Sequence, residues 1–294
     1  MNKTIYILFL SFILLDSCAQ EVKQEKKEVV EQEANEIIAD YKKIVPAGTV
    51  LETRILPPLK YERTKEGVNS FGAYLRQLPL KPHGSRVLLY DGNSKPNYNV
   101  YDAVVDLEIG NKNLHQCADA VMRLRAEYLW KQQKYDDIHF NFTNGFRVDY
   151  AEWMKGRRMV VQGNKTYWVD RAAPSNTYQD FWNYMELIFN YAGTLSLSKE
   201  LEAVKVEQMK IGDVFIWGGS PGHAILVVDM AVNPNTKEMI FLLAQSYMPA
   251  QETQILKNPN NAELSPWYAV SEIGAELHTP EWDFSADALK RFGE

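Results

Sequence analysis

Apolar positions are spaced differently in different parts of the chain, and each spacing predicts an element. Within 111–133, Cys117, Val121, Leu124 and Tyr128 recur at i, i+4, i+7 and i+11, which is one face of a helix. Asn113 is the predicted N-cap, setting Cys117 in the first helical turn. A second helix is predicted over Tyr178–Tyr191, closed by Gly193. The segment 212–248 reads GDVFIWGG, SPG, HAILVVDMAV, NPNT and KEMIFLLAQSYM. Short runs of Val, Ile, Phe and Leu punctuated by Gly, Pro and Asn predict a strand, a turn and a mostly buried hairpin. Strand-like runs also occupy 86–90 and 100–109. Strands, then helices, then a β-meander make an α+β order rather than a βαβ repeat.

Residues 1–18 read MNKTIYILFLSFILLDSC, with Lys3 ahead of an apolar run from Ile5 to Leu15 broken only by Ser11. A membrane-spanning helix takes about 20 apolar residues, so this run has instead the length of a signal-peptide core. Leu15-Asp16-Ser17-Cys18 resembles a bacterial lipobox with Cys18 as the acylated residue, although Asp16 stands where a small or apolar residue is usual. An ordinary secretory signal cleaved nearby is the plainer alternative. Either predicts export to the bacterial cell envelope, and the lipobox adds a membrane anchor through a lipid on Cys18. Residues 19–44 lack Gly and Pro and are dense in Glu and Lys. That composition predicts a solvated tether, helical in part, spanning about 90 Å if extended. A charged first helix packed on the domain is the alternative. From Val45 the composition is globular, so the expected organisation is signal and lipobox in 1–18, tether in 19–44 and one α+β domain over 45–294.

With 46% hydrophobic and 24% charged residues, the chain is neither disordered throughout nor a fibre. A net charge of −6 argues against the basic face that nucleic-acid binding requires. The two cysteines make neither a disulfide scaffold nor a four-cysteine zinc site. His139, Asp136 and Asp137 share one short stretch without metal-motif spacing, and there is no phosphate loop or dinucleotide fingerprint. No cofactor and no metal are expected.

With Cys18 acylated, Cys117 is left as an odd free thiol in an exported chain, a flag for reactivity. A nucleophilic cysteine needs thiolate character, which a helix N-terminus promotes, a nearby imidazole as base, and a polar group that orients the imidazole. His223 opens the buried strand just after Pro221 and Gly222. If the hairpin turns through 233–236, His223 faces Ser246, and one residue of loop length moves that position to Gln245 or Tyr247. Gln245 is the best orienting acceptor of the three, its carbonyl taking Nδ1–H of His223. For an oxyanion, the Cys117 backbone N–H is an expected donor, with Gln116, His115 and Asn111 as side-chain candidates. The plain readings stand beside these. A cysteine on an apolar helix face is often a small buried hydrophobe, and a histidine at a strand end is often a satisfied polar group. The seven tryptophans suit a core or cleft wall, and some suit a sugar- or peptide-binding groove.

Cysteine at the head of a helix, then Gly212-Asp213 leading into PGHAILVVD, resembles the papain-like cysteine hydrolases of bacterial envelopes, the NlpC-type endopeptidases and CHAP-type amidohydrolases. The resemblance implies a papain-like core with the Cys-bearing helix packed on an antiparallel β-meander. It implies Cys117 as nucleophile, His223 as base and Gln245 as orienter, acting on an amide bond, with peptidoglycan stem peptides as the substrate suggested by location. Around Cys117 the chain reads His-Gln-Cys-Ala-Asp where those enzymes usually have Asp-Cys-Ser-Gly. The phrases QCADAVMRLRAEYLW, FTNGF, PGHAILVVDMA, LLAQSYMPAQ and LSPWY resemble an uncharacterised lipoprotein family, the domain of unknown function 4846, over most of 45–294. A catalytically inactive binding or scaffolding lipoprotein of the same fold is the rival expectation.

Overall fold

The computed structural model describes residues 42–293; the signal, the lipobox with Cys18 and nearly all of the tether lie outside the described residues. From Ile44 onward the described chain forms one compact unit. Its helices are α1 (Leu51–Arg54), α2 (Phe71–Arg76), α3 (Cys117–Lys131), α4 (Tyr150–Met154), α5 (Tyr178–Tyr191) and α6 (Thr194–Glu200). The strands begin with β1 (Glu62–Arg63), β2 (Tyr101–Val104), β3 (His139–Asn141), β4 (Arg147–Asp149), β5 (Arg157–Gln162), β6 (Lys165–Asp170) and β7 (Glu202–Ala203). They continue with β8 (Val214–Trp217), β9 (His223–Val232), β10 (Met239–Gln245), β11 (Gln254–Leu256), β12 (Tyr268–Ala269), β13 (Glu276–His278), β14 (Asp283–Ser285) and β15 (Leu289–Arg291).

The main sheet runs β2-β11-β10-β9-β8-β15-β7, with β1 also on β9 and β12 on β10. Its pairings are antiparallel, and β8, β9, β10 and β11 form a consecutive meander. Three separate two-stranded ribbons are β3–β4, β5–β6 and β13–β14. The architecture is α+β.

The long apolar run of β9 has a direct cause: both faces of the strand are covered. Ala224, Leu226 and Val228 pack with Ala118, Val121 and Met122 of α3. Ile225 and Val227 pack on the other side with Phe241, Leu243, Leu277 and Phe284. A strand buried on both faces reads as continuous rather than alternating hydrophobicity. The β9–β10 register shifts between Leu242 and Leu243, where Asp229 faces Leu242 and Val227 faces Leu243. Val228 is the bulged residue, and the bulge makes Met230, not Asp229, continue the Val227 face. Asp229 is fully buried between two guanidinium groups, Arg63 at 2.7 Å and Arg76 at 2.6 Å, which ties β1 and α2 to the centre of the sheet.

Several local expectations need correction. The helix starts at Cys117 with Gln116, not Asn113, as N-cap. The Gln116 N–H donates to Asp119 Oδ2 at 3.0 Å, while the Asn113 carboxamide is drawn off to accept from Ala250 N–H at 2.8 Å. α3 is buried almost all round, including Asp119, Arg123 and Glu127, rather than on one face. Gly193 does not close α5 in a left-handed turn; its backbone is extended and it caps the start of α6. The run 86–90 makes only isolated bridges at Leu88 and Leu89. The run 100–109 yields β2 and an isolated bridge of Val105 with Leu80, after which Asp106 N–H donates to the Pro79 carbonyl.

Candidate active site at the head of the Cys117 helix

Two tethers bring the loop before α3 to the end of β10. Ser246 Oγ lies 3.0 Å from the His115 carbonyl and 2.7 Å from that of Gln251. The Asn113–Ala250 bond adds the second tether. Cys117 therefore opens its helix beside the ends of β9 and β10. The thiol accepts from the backbone N–H of Ala224, the residue after His223.

His223 and Gln245 are both fully buried and in direct contact. His223 Nε2 lies 2.9 Å from Gln245 Oε1. The nitrogen differs from the expected Nδ1, and the reason lies one residue further out. Gln245 Nε2 is 2.6 Å from Glu281 Oε2, and that carboxylate is paired with Lys95 at 2.5 Å. A carboxylate accepts only, so the Gln245 amide must turn its NH₂ to Glu281 and its oxygen to the imidazole. Nε2 then carries the proton in the neutral ring, and the lone pair sits on Nδ1, which has no hydrogen-bond partner among the described residues. The register explains the choice of residue: Leu243 faces Val227 and Ala244 faces Leu226, so extension places position 247 opposite His223. Tyr247 indeed packs on the ring at 4.9 Å between centroids, and Gln245 reaches it diagonally from the same sheet face.

The imidazole also packs against Trp282 and Phe284, on the β13–β14 side of the sheet, whereas α3 lies on the other. At the strand end Ala224 N–H approaches the thiol, while the side chains of His223 and Gln245 do not line the cleft that opens over Cys117. The Tyr247 phenol is pushed up by burial and by Glu281.

A cleft of about 410 Å³ opens over Cys117, walled by Gln116, Asp119, Phe189, Thr194, Gly222 and Met248. Gly222 is needed for space: a Cβ there would lie 2.3 Å from Thr194 Oγ1. Asn111 lines a different cavity and is not brought to Cys117. Gln116 stays at the cleft with its Nε2 3.3 Å from Asn113 Oδ1. His115 is buried with Nδ1 3.2 Å from the Gln251 carbonyl, and burial lowers its pKa to about 3.

The thiol is not activated at rest. Burial, then Asp119, pushes its pKa up to about 11, against backbone N–H groups of Ala118, Ala224 and Cys117 that pull it down. The expectation of a lowered thiol pKa fails because 6% exposure outweighs the helix N-terminus. Burial likewise lowers His223 to about 4, opposed by the Gln245 bond. Asp119 is raised to about 8 by burial, and its Oδ1 is buried without a partner. At neutral pH the thiol and the imidazole are both uncharged. Among the described residues, no three His, Cys, Asp or Glu side chains are grouped to hold a metal ion.

Local sequence marks neither Lys95 nor Glu281. The only signal for the Lys95–Glu281 pair is the pairing itself, across 186 residues.

The chain matches the family model described as domain of unknown function (4846) over residues 51–291, and it belongs to that family. No curated protein matches it, and no solved structure does.

Proposed function

We propose that this family member is an exported, lipid-anchored cysteine hydrolase with a papain-like core, cleaving an amide bond in peptidoglycan stem peptides. The observation that carries the reading is the 2.9 Å contact between His223 Nε2 and a Gln245 oxygen locked in place by Glu281, beside a thiol held at Ala224 N–H. In this reading His223 Nδ1 takes the Cys117 proton as Sγ attacks the carbonyl carbon, a general-base step from a neutral pair rather than from a standing ion pair. The Cys117 backbone N–H, with Gln116 on the cleft wall, faces the developing oxyanion. The imidazolium returns its proton to the leaving amine. Water, deprotonated by the same Nδ1, then releases the acyl group from Sγ.

The test is turnover of muropeptides by the wild-type chain and by Cys117→Ser and His223→Ala. Removing a positioned base costs on the order of 10²–10⁴ in rate, and removing the nucleophile costs more. Both variants are expected to lose turnover while keeping the wild-type circular dichroism, and an acyl adduct is expected on Cys117 in mass spectrometry. Equal activity in Cys117→Ser would sink the reading. The thiol's burial and raised pKa favour the second reading, a silent binding or scaffolding lipoprotein. Its signature is ligand affinity that ignores alkylation of Cys117.

A further inference from the structure

We infer that a second cavity, next to the Cys117 cleft, binds an uncharged saccharide. It measures about 530 Å³, within the usual 300–1,000 Å³ of small-ligand sites. Its walls come from the loop before α3, from α3 itself and from one side of α5.

Three features select the ligand. The first is aromatic surface: Trp182 lines the cavity and Tyr178, also lining it, is 45% exposed. The second is a set of exposed carboxamides, Asn111, Gln179 and Asn183; Gln179 Nε2 donates to Asn183 Oδ1 at 3.2 Å, which leaves the Gln179 oxygen and the Asn183 NH₂ without another partner among the described residues. The third is charge. The ionic residues of the wall are Glu108, Lys112, Arg123 and Glu186, two of each sign. Both cations of the wall are engaged, while the exposed Glu108 carboxylate is in no ion pair among the described residues. Lys112 pairs with Glu186 at 2.7 Å. Arg123 donates to the Glu108 carbonyl at 2.6 Å, lies 3.5 Å from Glu127 and stacks on the Trp182 ring at 4.7 Å. A phosphate or carboxylate ligand would find no uncommitted cation in this wall, an amine would meet Glu108 alone against Lys112 and Arg123, and the Glu108 carboxylate can accept from a sugar hydroxyl. A sugar ring presents what the wall can use: C–H faces for the aromatic rings and hydroxyls for the amides.

The position deepens the substrate assignment. Asn111 and Lys112 line this cavity, while Asn113 and Gln116 line the Cys117 cleft. On α5, Glu186 faces the one and Phe189 the other, about 4.5 Å apart along the helix axis. One ligand carrying a sugar and a peptide reaches both. This glycopeptide step rests on the amide-hydrolase reading; the saccharide site does not.

Calorimetric titration of the full chain with chitotetraose, cellotetraose and an unglycosylated tetrapeptide tests it. Saccharide binding is expected in the wild type and, undiminished, in Cys117→Ser. It is expected to weaken at least tenfold in Trp182→Ala. Because Trp182 also packs on Phe189, the exposed double variant Gln179→Ala, Asn183→Ala provides a second reading that leaves the core alone. The inference is overturned if neither saccharide binds at millimolar concentration, if only the tetrapeptide binds, or if both variants bind like wild type. Turnover of a sugar-free peptide is read separately. Its loss with saccharide binding intact removes only the hydrolase reading, and its persistence without saccharide binding removes only this one.

Discussion

Gln245 is a residue whose own neighbours decide its orientation, and that has a measurable consequence. Glu281 accepts only, so it holds the Gln245 oxygen on His223. In Glu281→Gln the new amide accepts or donates, and the lock is lost. The expected outcome is a fall of roughly tenfold in kcat, a fraction of what a positioned base supplies, with KM little changed. A kcat equal to wild type would remove Glu281 from the positioning of the base. Cys117 makes a second prediction at this scale. In a Cys18→Ala chain it is the single thiol, and alkylation is expected to be slow at pH 7–9 and to accelerate as pH approaches the raised thiol pKa of about 11. Rapid labelling below pH 7 would show an activated thiolate instead. At this scale the sequence is informative where local chemistry marks a residue, as the helix head marks Cys117 and the Pro-Gly turn marks His223. It is silent on Lys95 and Glu281, whose partnership follows no period and crosses most of the domain.

Among the elements, β9 carries the most. The same strand supplies the His223 imidazole, the Ala224 N–H and the Asp229 anchor. Asp229→Ala would strand Arg63 and Arg76 around a cavity, and breaking a buried ionic group in this way costs about 3–5 kcal/mol. A matching drop in the denaturant midpoint is expected, with α2 and β1 loosened first in hydrogen exchange; an unchanged midpoint would mean the arginines find other partners. The sequence shows that 223–232 is a buried strand but not which residue faces which layer. Both faces are apolar, and the bulge at Val228 breaks the parity that a reader would count along. The N-cap of α3 is hidden for a related reason. Asn113 is the better cap by type, yet a tertiary bond to Ala250 claims it and leaves the role to Gln116.

The whole molecule has an acid-sensitive core. His115 and His223 are held neutral by burial, with pKa values lowered to about 3 and about 4 from an ordinary 6.5. Depressed folded-state values mean that the stability these two imidazoles contribute is full above pH 6.5 and is lost as pH falls toward 4, while the single Asp119 carboxyl, raised to about 8, opposes them over the same range and offsets part of the fall. Unfolding by denaturant at pH 7, 5.5 and 4.5 is expected to show a falling midpoint, and replacing His115 by Gln is expected to flatten the fall. A profile that is flat in the wild type and in Asp119→Asn alike would mean that both imidazoles are already solvated. The α+β class and the meander are legible in sequence because they rest on local runs. The seating of β13–β14 over the imidazole is not, because that ribbon meets the meander only in three dimensions.

The Lys95–Glu281 pair also sets an order of events in the life of the chain. As the polypeptide emerges N-terminus first, the thiol appears early and its prospective base a hundred residues later. The clamp that turns Gln245 toward that imidazole arrives only with the β13–β14 ribbon, later still. A chain whose synthesis has not yet passed Glu281 therefore holds the sulfur and the imidazole but not the carboxylate that fixes the Gln245 amide.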